Sequence, residues 1–373
     1  MILAGEVSGD MHGARVAREL RRRWPEVEMT GLGGECMAAA GVRLIRGLDD
    51  LAVMGFAEVV KRLPFFRRLE SQLKHLLEEG GFDLVLPVDY PGLNLRISRH
   101  AERLGIPVLY YIGPQVWAWR AGRAERLSRA ADRIAVILPF EAELYRAHGG
   151  RAVFVGHPLL DEELPGEPEA LARTLGIPPG APVLALFPGS RRQELIRHAR
   201  PFTAAARELQ RRIRGLQVIV SKVSGLPASA YRSMPFPTTE DGASLRALAT
   251  AGLVKSGTST LEAALAGMPF AVAYITHPLT WFLARRLVRV PHVALANLVA
   301  GDRVVPEFIQ GEVTTSALVD AIEPLLAEDS RERGEMLARL AAVRTALGSP
   351  GAATRVVDLA EQILHETRRV SSP

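Results

Sequence analysis

The chain has 373 residues, 48% hydrophobic and 23% charged, which excludes a disordered protein and makes two domains the default expectation. Its one cysteine, Cys36, excludes an internal disulfide framework and fits a reducing compartment. The net charge is +5, but aromatic residues make up only 6% and do not interleave with a basic patch, so no nucleic-acid partner is expected. No apolar run approaches the roughly 20 residues that span a bilayer, so we expect a cytoplasmic protein or one lying on a membrane surface.

Short apolar runs alternate with amphipathic helical stretches along the chain, as in parallel sheets with helical crossovers. In the first half, strands are predicted at Ile2–Ala4, Leu84–Pro87, Val108–Ile112, Ile134–Leu138 and Val153–Val155. In the second half, they are predicted at Val183–Phe187, Leu216–Val220, Leu253–Lys255 and Phe270–Tyr274. Helical stretches such as Gly13–Arg23 and Phe202–Ile213 have crossover length. This rhythm predicts an α/β protein with two doubly wound, Rossmann-like units.

A segment rich in proline, glycine and glutamate, Leu160–Pro182, marks the expected seam between the two units. We therefore expect domains at 1–163 and 164–348, and a C-terminal helix at 349–373 that packs back on the first domain. The stretch Ser221–Asp241 is polar and predicts mostly loop. Two such units facing each other would form a cleft, and ligands of parallel sheets bind beyond the carboxyl ends of the strands.

Polar side chains follow two strands of the first domain. The loop after Ile2–Ala4 carries Glu6, Ser8 and Asp10, and its two carboxylates suit a sugar better than a dinucleotide pyrophosphate. The alternative for Asp10 is a helix N-cap. Asp89 follows Leu84–Pro87 at a strand end, which suits a general base, and a turn-forming Asp is the alternative.

Other loop residues of the first domain admit two interpretations. Trp117 and Trp119 are either packing wedges or a wall for a sugar or an acyl chain. His12 and His157 are either ligand contacts or ordinary structural histidines. No His, Cys or Asp cluster has metal-ligand spacing, so neither a metal nor another cofactor is predicted.

Two glycine turns of the second domain predict an anion site. Gly189, Ser190 and Arg191 follow one strand, and Arg191 suits a diphosphate. The turn Ser256–Gly257–Thr258 follows another strand and opens a helix whose N-terminal N–H groups suit a phosphate. Glu262 lies within reach of a ribose, but Ser259-x-x-Glu262 is also a capping box, and both interpretations stay open here.

Taken together, these motifs resemble the lipid-A-disaccharide synthases, glycosyltransferases of family 19. The resemblance covers nearly the whole chain in the family's order. It is carried by AGEVSGDMHGA (4–14), GLGGECMAAAG (31–41), LAVMGFAEV (51–59), VDYPGLN (88–94), YYIGPQVWAWR (110–120), LPFE (138–141), VGHPLLD (155–161), FPGSR (187–191), SGTSTLEAALAGMP (256–269) and ANLVAG (296–301).

The resemblance implies the GT-B fold and an inverting hexosyltransferase. Such an enzyme joins UDP-2,3-diacylglucosamine to 2,3-diacylglucosamine 1-phosphate (lipid X), giving lipid A disaccharide 1-phosphate and UDP in lipopolysaccharide biosynthesis. It implies Asp89 as the base, Glu6, Ser8 and Asp10 on the sugar side, and Glu262 as the ribose anchor. The residues implied for UDP are Gly189, Ser190, Arg191, Ser256, Gly257, Thr258 and Ser259. Further donor-side candidates are Asn297, Glu307 and Gln310.

Acylated substrates imply contact with a membrane, on the inner face of the inner membrane. The segment Phe56–Leu77 is amphipathic and basic, with Pro64 predicted to break or kink it. The residues predicted to meet lipid are Val59, Val60, Leu63, Phe66, Leu69 and Leu73. The alternative is a core-facing helix with a solvated basic face. Trp281–Arg289 is a second membrane candidate, and a homodimer is left open.

Two other functions compete with this interpretation. A UDP-N-acetylglucosamine 2-epimerase or a MurG-like transferase would keep the UDP half without the acyl-handling first domain. A non-catalytic nucleotide-binding or membrane adaptor protein would bind UDP without turnover. The motifs AGEVSGD and VWAWR argue against the first of these.

Overall fold

The computed structural model describes the backbone of residues 1–51, 56–114, 121–162, 166–223, 225–278, 281–282 and 291–371. The side chains of 56–61, 121, 123, 368 and 370–371 lie outside the description. The chain divides into unit 1, Met1–Asp161 with Leu347–Pro373, and unit 2, Glu162–Ala346. The expected seam at 163/164 lies two residues from this division. Trp117 and Trp119 and most of Trp281–Arg289 lie outside the described residues.

Unit 1 is built on a parallel sheet that has seven strands within the described residues. The strands are β1 (Ile2–Ala4), β2 (Thr30–Gly33), β3 (Arg43–Gly47), β4 (Leu86–Val88), β5 (Leu109–Tyr111), β6 (Arg133–Val136) and β7 (Ala152–Phe154). Their spatial order is β3-β2-β1-β4-β5-β6-β7, with Ile2 opposite Gly31 on one side and opposite Leu86 on the other. The order reverses direction between β1 and β4, which makes their carboxyl ends a switch point.

Helices cover both faces of this sheet. They are α1 (Val7–Arg23), α2 (Glu35–Ala39), α3 (Leu48–Leu51), α4 (Phe56–Glu78), α5 (Pro91–Arg103), α6 (Ala121–Ala130), α7 (Pro139–Ala147) and the closing helix, which is labelled α15 (Ala352–Ser371). One buried cluster includes Leu73, Ile97 and Tyr145, and the other joins Val16 to Val357. The closing helix therefore belongs to the core of unit 1.

Unit 2 repeats the plan with a six-stranded parallel sheet in the described part of the chain. Its strands are β8 (Val183–Phe187), β9 (Gln217–Ser221), β10 (Thr238–Thr239), β11 (Ala251–Lys255), β12 (Phe270–Tyr274) and β13 (Glu307–Ile309). Its helices are α8 (Pro168–Leu175), α9 (Arg192–Arg212), α10 (Gly242–Leu248), α11 (Ser259–Leu265), α12 (Leu295–Ala300), α13 (Thr315–Ile322) and α14 (Arg331–Ala346). The order β10-β9-β8-β11-β12-β13 places the switch point between β8 and β11.

Helix α4 corrects part of the membrane prediction. It runs unbroken through Pro64, so of the predicted break or kink the break is wrong. Leu69 and Leu73 are 2% and 0% exposed in the core of unit 1, so they cannot meet lipid. Phe66 packs partly buried against the same core, whereas Leu63 is 44% exposed. The side chains of Val59 and Val60 lie outside the description. The core-facing alternative therefore holds for the second half of the helix.

Candidate active site

The switch point of unit 1 brings Glu6 and Asp89 to the same edge of the sheet. Glu6 follows β1 as the exposed N-cap residue of α1, and Asp89 follows the paired strand β4. Asp89 and Tyr90 have φ angles of +47° and +48°, a conformation that costs non-glycine residues free energy. Two such residues in succession indicate a turn that the surrounding structure holds in place.

Three contacts hold this strained turn. The hydroxyl of Tyr110 donates to the Asp89 carbonyl oxygen at 2.7 Å, and the amide of Asn94 donates to the same oxygen at 2.8 Å. The Asn94 amide also reaches the carbonyl of Leu3 at 3.1 Å, which ties the turn to β1. The Tyr90 ring covers Gly5 so closely that a Cβ there would lie 2.3 Å from it. Tyr90 was not predicted from the sequence, where its only signal was the glycine opposite.

The surroundings of Asp89 tune its carboxyl group. Burial and, after it, the negative charge of Glu6 together raise the pKa of Asp89 to about 6. A carboxyl group with a pKa near neutrality can both accept a proton and release it afterwards. The predicted base therefore stands in surroundings that suit general-base chemistry.

The Asp10 carboxylate, predicted to contact a sugar, is bound to backbone N–H groups of unit 1. It is 3% exposed, and its carboxylate accepts backbone N–H groups of Gly34 (2.7 Å), Cys36 (3.1 Å) and Met37 (3.0 Å). These N–H groups lie at the start of α2, so Asp10 caps a neighbouring helix. The alternative interpretation expected Asp10 to cap its own helix, α1, whose N-cap residue is Glu6. The sugar contact of Asp10 therefore stays a prediction, made by a carboxylate that backbone groups already hold, whereas Ser8 is exposed beside Glu6.

The two histidines near this edge are neutral at neutral pH, with His157 buried and His12 half-buried. Burial, followed by the charge of Arg15, lowers the pKa of His12 to about 4. Burial also lowers the pKa of His157 to about 4, with a smaller contribution from His12. The His157 Nδ1 atom accepts the N–H of Leu159 at 3.2 Å, so this ring shapes the turn after β7. The structural interpretation fits His157.

The switch point of unit 2 brings the two predicted anion turns together. Residues 188–191 follow β8 and residues 256–258 follow β11, and these two strands are paired neighbours. Gly189 and Gly257 have φ angles of +118° and +148°, which favour glycine. The Arg191 side chain is 81% exposed, and the described residues offer no acceptor to the N–H groups of Gly257 and Thr258.

A glutamate that the sequence analysis missed lies between these turns. One carboxylate oxygen of Glu194 accepts the N–H groups of Ser190 and Arg191 at 3.2 and 3.3 Å. The other oxygen lies 2.9 Å from the Lys255 ammonium at the end of β11. Burial acts to raise the pKa of Glu194, but the hydrogen bond and charge of Lys255 outweigh it and lower that pKa. Glu194 therefore joins the two turns as an internal anion.

Glu262 does not form the predicted capping box. Its helix, α11, has Thr258 as N-cap without a side-chain capping bond, and the Glu262 carboxylate pairs with Arg246 at 2.8 Å. The Arg246 guanidinium in turn lies 5.5 Å from the ring centroid of Phe187, the last residue of β8. The capping-box alternative is therefore wrong, and Glu262 stands beside the switch point.

The three donor-side candidates brace the loop before α12. Asn297 is fully buried, and its amide joins the Val305 carbonyl to the Glu307 carboxylate at 2.9 and 2.8 Å. Glu307 also accepts the N–H groups of Val293 and Ala294. Gln310 pairs with the backbone of Thr276. These three side chains are held by bonds within unit 2, and their place on the donor side stays a prediction.

The bonds of Glu307 also reach a residue of the predicted anion site. The hydroxyl of Ser256 donates to the carbonyl oxygen of Val293 at 2.6 Å, and the N–H of Val293 donates to Glu307. Ser256 is 8% exposed, its hydroxyl is engaged, and its backbone N–H donates to the Ala273 carbonyl oxygen at 3.1 Å, so the N–H groups that this turn leaves for a ligand are those of Gly257 and Thr258. Glu307 thereby positions the turn after β11.

Comparisons with known proteins decide the family. The family model described as lipid-A-disaccharide synthetase matches residues 1–349. A lipid-A-disaccharide synthase of Geobacter metallireducens is 39% identical, covering 99% of this chain and 98% of its own length. The enzyme of that name from Anaeromyxobacter sp. (strain K) is 38% identical, covering 98% of this chain and 96% of its own length.

The chain belongs to the lipid-A-disaccharide synthetase family. The resemblance predicted from its motifs is confirmed, and the molecule is a glycosyltransferase of lipid A biosynthesis. Among solved structures, a UDP-N-acetylglucosamine 2-epimerase from Neisseria meningitidis bound to UDP-GlcNAc aligns with a TM-score of 0.66 at 13% identity. It covers 97% of this chain and 99% of its own.

A glycotransferase of kitacinnamycin aligns with a TM-score of 0.66 at 17% identity, covering 97% of this chain and 98% of its own. At such low identity these structures show the fold alone, and they confirm the predicted GT-B architecture of this synthetase family member. Within the described residues of this lipid-A-disaccharide synthetase homologue, no helix is long and apolar enough to cross a membrane.

Proposed function

We propose that this enzyme transfers 2,3-diacylglucosamine from its UDP derivative to the 6-hydroxyl of lipid X, with inversion at the anomeric carbon. In this reaction the O–H bond of the acceptor breaks, the new C–O bond forms, and the bond from the anomeric carbon to the phosphate oxygen breaks, releasing UDP. The observation that carries the proposal is Asp89, a half-buried carboxyl with a pKa of about 6 at the switch point of unit 1.

Asp89 is the proposed base, with Glu6 as the residue that tunes it. Glu6 raises the proton affinity of Asp89. Hydrogen bonds from Tyr110 and Asn94 to the Asp89 carbonyl oxygen hold the backbone of Asp89 in place. Val7 and Met11 are 69% and 39% exposed one turn apart on α1, directly after Glu6. An apolar strip beside two carboxylates suits an acceptor that is a sugar at one end and acyl chains at the other.

UDP is proposed to bind unit 2 at its switch point. The free N–H groups of Gly257 and Thr258 and the exposed guanidinium of Arg191 suit the diphosphate, as preorganised donors for the leaving group. One oxygen of Glu262 is engaged by Arg246, and the other oxygen can accept a ribose hydroxyl. No metal ion is needed in this proposal, because cationic side chains and N–H groups supply the positive potential.

The pH dependence of kcat/KM tests the base. We expect kcat/KM to fall about tenfold per pH unit below about pH 6, because protonated Asp89 cannot accept the acceptor's proton. Glu6→Gln should move this limb to lower pH, because it removes the charge that raises the pKa of Asp89. An unmoved limb in Glu6→Gln, together with normal turnover in Asp89→Asn, would assign the proton transfer to another group.

The membrane is the proposed meeting place with the acylated substrates, at the cytoplasmic face of the inner membrane. The first half of α4 presents Leu63 and Pro64 as exposed apolar residues, followed by the exposed cations Arg67 and Arg68. Such a combination suits anionic headgroups with a shallow apolar insertion. The proposed membrane patch is therefore Leu63, Pro64, Arg67 and Arg68, in place of the larger set predicted from the sequence.

A further inference from the structure

Lys255 stands at the centre of the switch point of unit 2 and has no assigned role. It is the last residue of β11, and its side chain is 17% exposed. Its ammonium lies 2.9 Å from Glu194 and 5.9 Å from the centroid of the Tyr274 ring. A Cβ on Gly257 would lie 3.5 Å from the same nitrogen. The ammonium therefore faces the turn 256–258 while Glu194 holds it from the other side.

The partners of Glu194 indicate what kind of group this place accepts. Its carboxylate is surrounded by two backbone N–H groups, the Lys255 ammonium and, 4.0 Å away, the Arg191 guanidinium. A Cβ on Gly189 would lie 2.7 Å from the Glu194 side chain, so the turn is shaped around this carboxylate. These donors and cations create a region of positive potential, and the Glu194 carboxylate occupies one side of it.

We propose that Lys255 binds the diphosphate of the UDP leaving group, and that Glu194 is the positioning residue that keeps its ammonium between the two turns. This inference rests on the proposed function, because it names a further residue for the same UDP site. As the bond from the anomeric carbon to the phosphate oxygen breaks, its electron pair stays on that oxygen. The ammonium of Lys255 stabilises the added negative charge, as electrostatic preorganisation requires.

The competing explanation is that the Lys255–Glu194 pair only joins β11 to α9. The two explanations differ in how strongly Lys255 affects the affinity for UDP compared with the affinity for uridine. A diphosphate ligand gains from the ammonium, whereas uridine lacks the diphosphate and gains nothing. A lysine with a merely structural role would affect both ligands alike, through the shape of the site.

Calorimetric titration of the full chain with UDP and with uridine makes the test. Lys255→Gln should weaken UDP about tenfold or more and leave uridine within about twofold, because it removes a charge-assisted contact but still donates to Glu194. Lys255→Arg should restore most of the UDP affinity. The matched control is Lys222→Gln, since Lys222 follows β9 of the same sheet and pairs with Glu240 at 2.8 Å. That control should change neither affinity.

The titrations distinguish failure of the Lys255 role from failure of the proposed function. Unchanged UDP affinity in Lys255→Gln, or an equal loss for UDP and uridine, would overturn the role of Lys255. If Lys255→Gln fails to fold while Lys255→Arg folds but binds UDP as weakly as uridine, the role is overturned as well. Failure of the wild-type protein to bind UDP more tightly than uridine would instead contradict the proposed function itself.

Discussion

Asp89 occupies a backbone conformation and a charge environment that both cost stability. Its pKa of about 6 lies above the ordinary value of 3.8, so between those pH values the folded protein holds a proton that the unfolded chain releases. The contribution of Asp89 to the free energy of unfolding is therefore greatest below pH 3.8 and is lost as pH rises through 6. This cost in stability is what the proposed role of Asp89 as a base predicts, because strongly shifted pKa values cluster at functional sites.

Asp89→Asn should accordingly stabilise the protein at pH 8 by about 1–3 kcal/mol while abolishing turnover. The gain should shrink toward zero at pH 4, where both forms are uncharged in the folded state. Thermal or urea unfolding at the two pH values measures this. A variant that is less stable than wild type at pH 8 would show that the charge of Asp89 is not a burden to the fold.

His198 gives the opposite pH dependence. It is fully buried, its ring donates to the Glu194 carbonyl oxygen at 2.8 Å, and it accepts the N–H of Ile275 at 3.0 Å. Burial is the main reason that its pKa falls to about 4 from an ordinary 6.5. Its contribution to stability is thus complete above pH 6.5 and is lost as pH falls toward 4, because the unfolded chain binds the proton first.

We therefore expect the free energy of unfolding to fall between pH 6.5 and 4.5, with a shallower fall in His198→Gln. The variant should also lose about 1–2 kcal/mol at pH 7, since glutamine cannot reproduce both bonds at once. Urea titrations across this pH range check both effects. A fall as steep in the variant as in the wild type would assign the acid sensitivity to other groups, such as His12 and His157.

At the scale of elements, the loop before α12 links Glu307 to the proposed UDP site. Glu307 accepts the N–H groups of Val293 and Ala294, and Val293 holds the hydroxyl of Ser256. Glu307→Ala should lower stability by about 2–3 kcal/mol and weaken UDP binding severalfold, because buried donors lose their partner and the turn after β11 loses its brace.

The matched control is Glu312→Ala. Glu312 is an exposed carboxylate on the same segment, and it caps only the N–H of Ile309 at 3.0 Å. That change should leave UDP affinity as it is. Unaltered UDP affinity in Glu307→Ala despite lower stability would show that Glu307 stabilises the fold without affecting UDP binding.

Helix α4 gives a prediction for the membrane patch. Leu63→Glu together with Arg67→Glu should reduce sedimentation with anionic liposomes and leave the melting temperature unchanged. Leu104→Glu is the matched control, because Leu104 is 42% exposed and Leu63 is 44% exposed. By contrast, Leu69→Glu should cost several kcal/mol, since it places a charge in the core. Equal liposome binding by the Leu63 variant and the wild type would exclude this patch.

Strands with continuous apolar runs could be predicted from the sequence, and strands with other compositions could not. β1, β8 and β12 begin and end at the predicted residues. β2 was missed because it reads Thr-Gly-Leu-Gly, and the structure gives the reason. A Cβ on Gly31 would lie 1.7 Å from the Ile2 carbonyl oxygen, so close pairing with β1 demands glycine. β3, β10 and β13 are charged or very short and lack an apolar signal.

The same division holds for the site. Post-strand positions predicted Glu6, Asp89, Arg191 and the turn at 256–258, because parallel strands bring their carboxyl ends to one edge. What the sequence could not predict was the partner of each carboxylate. Asp10 and Glu307 bind backbone N–H groups 24 and 13 residues away in the chain, and Glu194 binds the Lys255 ammonium 61 residues away. Such pairings depend on tertiary structure and leave no local pattern.

At the scale of the whole molecule, each unit carries its candidate residues at the switch point of its own sheet. Unit 1 supplies the proposed base and an apolar strip, and unit 2 supplies the proposed diphosphate and ribose contacts. A transferase of two acylated sugars needs both sets. An enzyme that uses UDP-N-acetylglucosamine alone needs no apolar strip beside its carboxylates, so the acylation of the substrate is the property that distinguishes the two reactions.

Mass-spectrometric detection of products is the most direct test of the central claim. The protein is incubated in detergent with UDP-2,3-diacylglucosamine and 2,3-diacylglucosamine 1-phosphate, and in parallel with unacylated UDP-N-acetylglucosamine as donor. We expect the wild type to form the disaccharide 1-phosphate and UDP from the acylated pair only, and Asp89→Asn to form neither while binding UDP with unchanged affinity. Absence of the disaccharide with the wild type, or its formation at the normal rate by Asp89→Asn, would contradict the account.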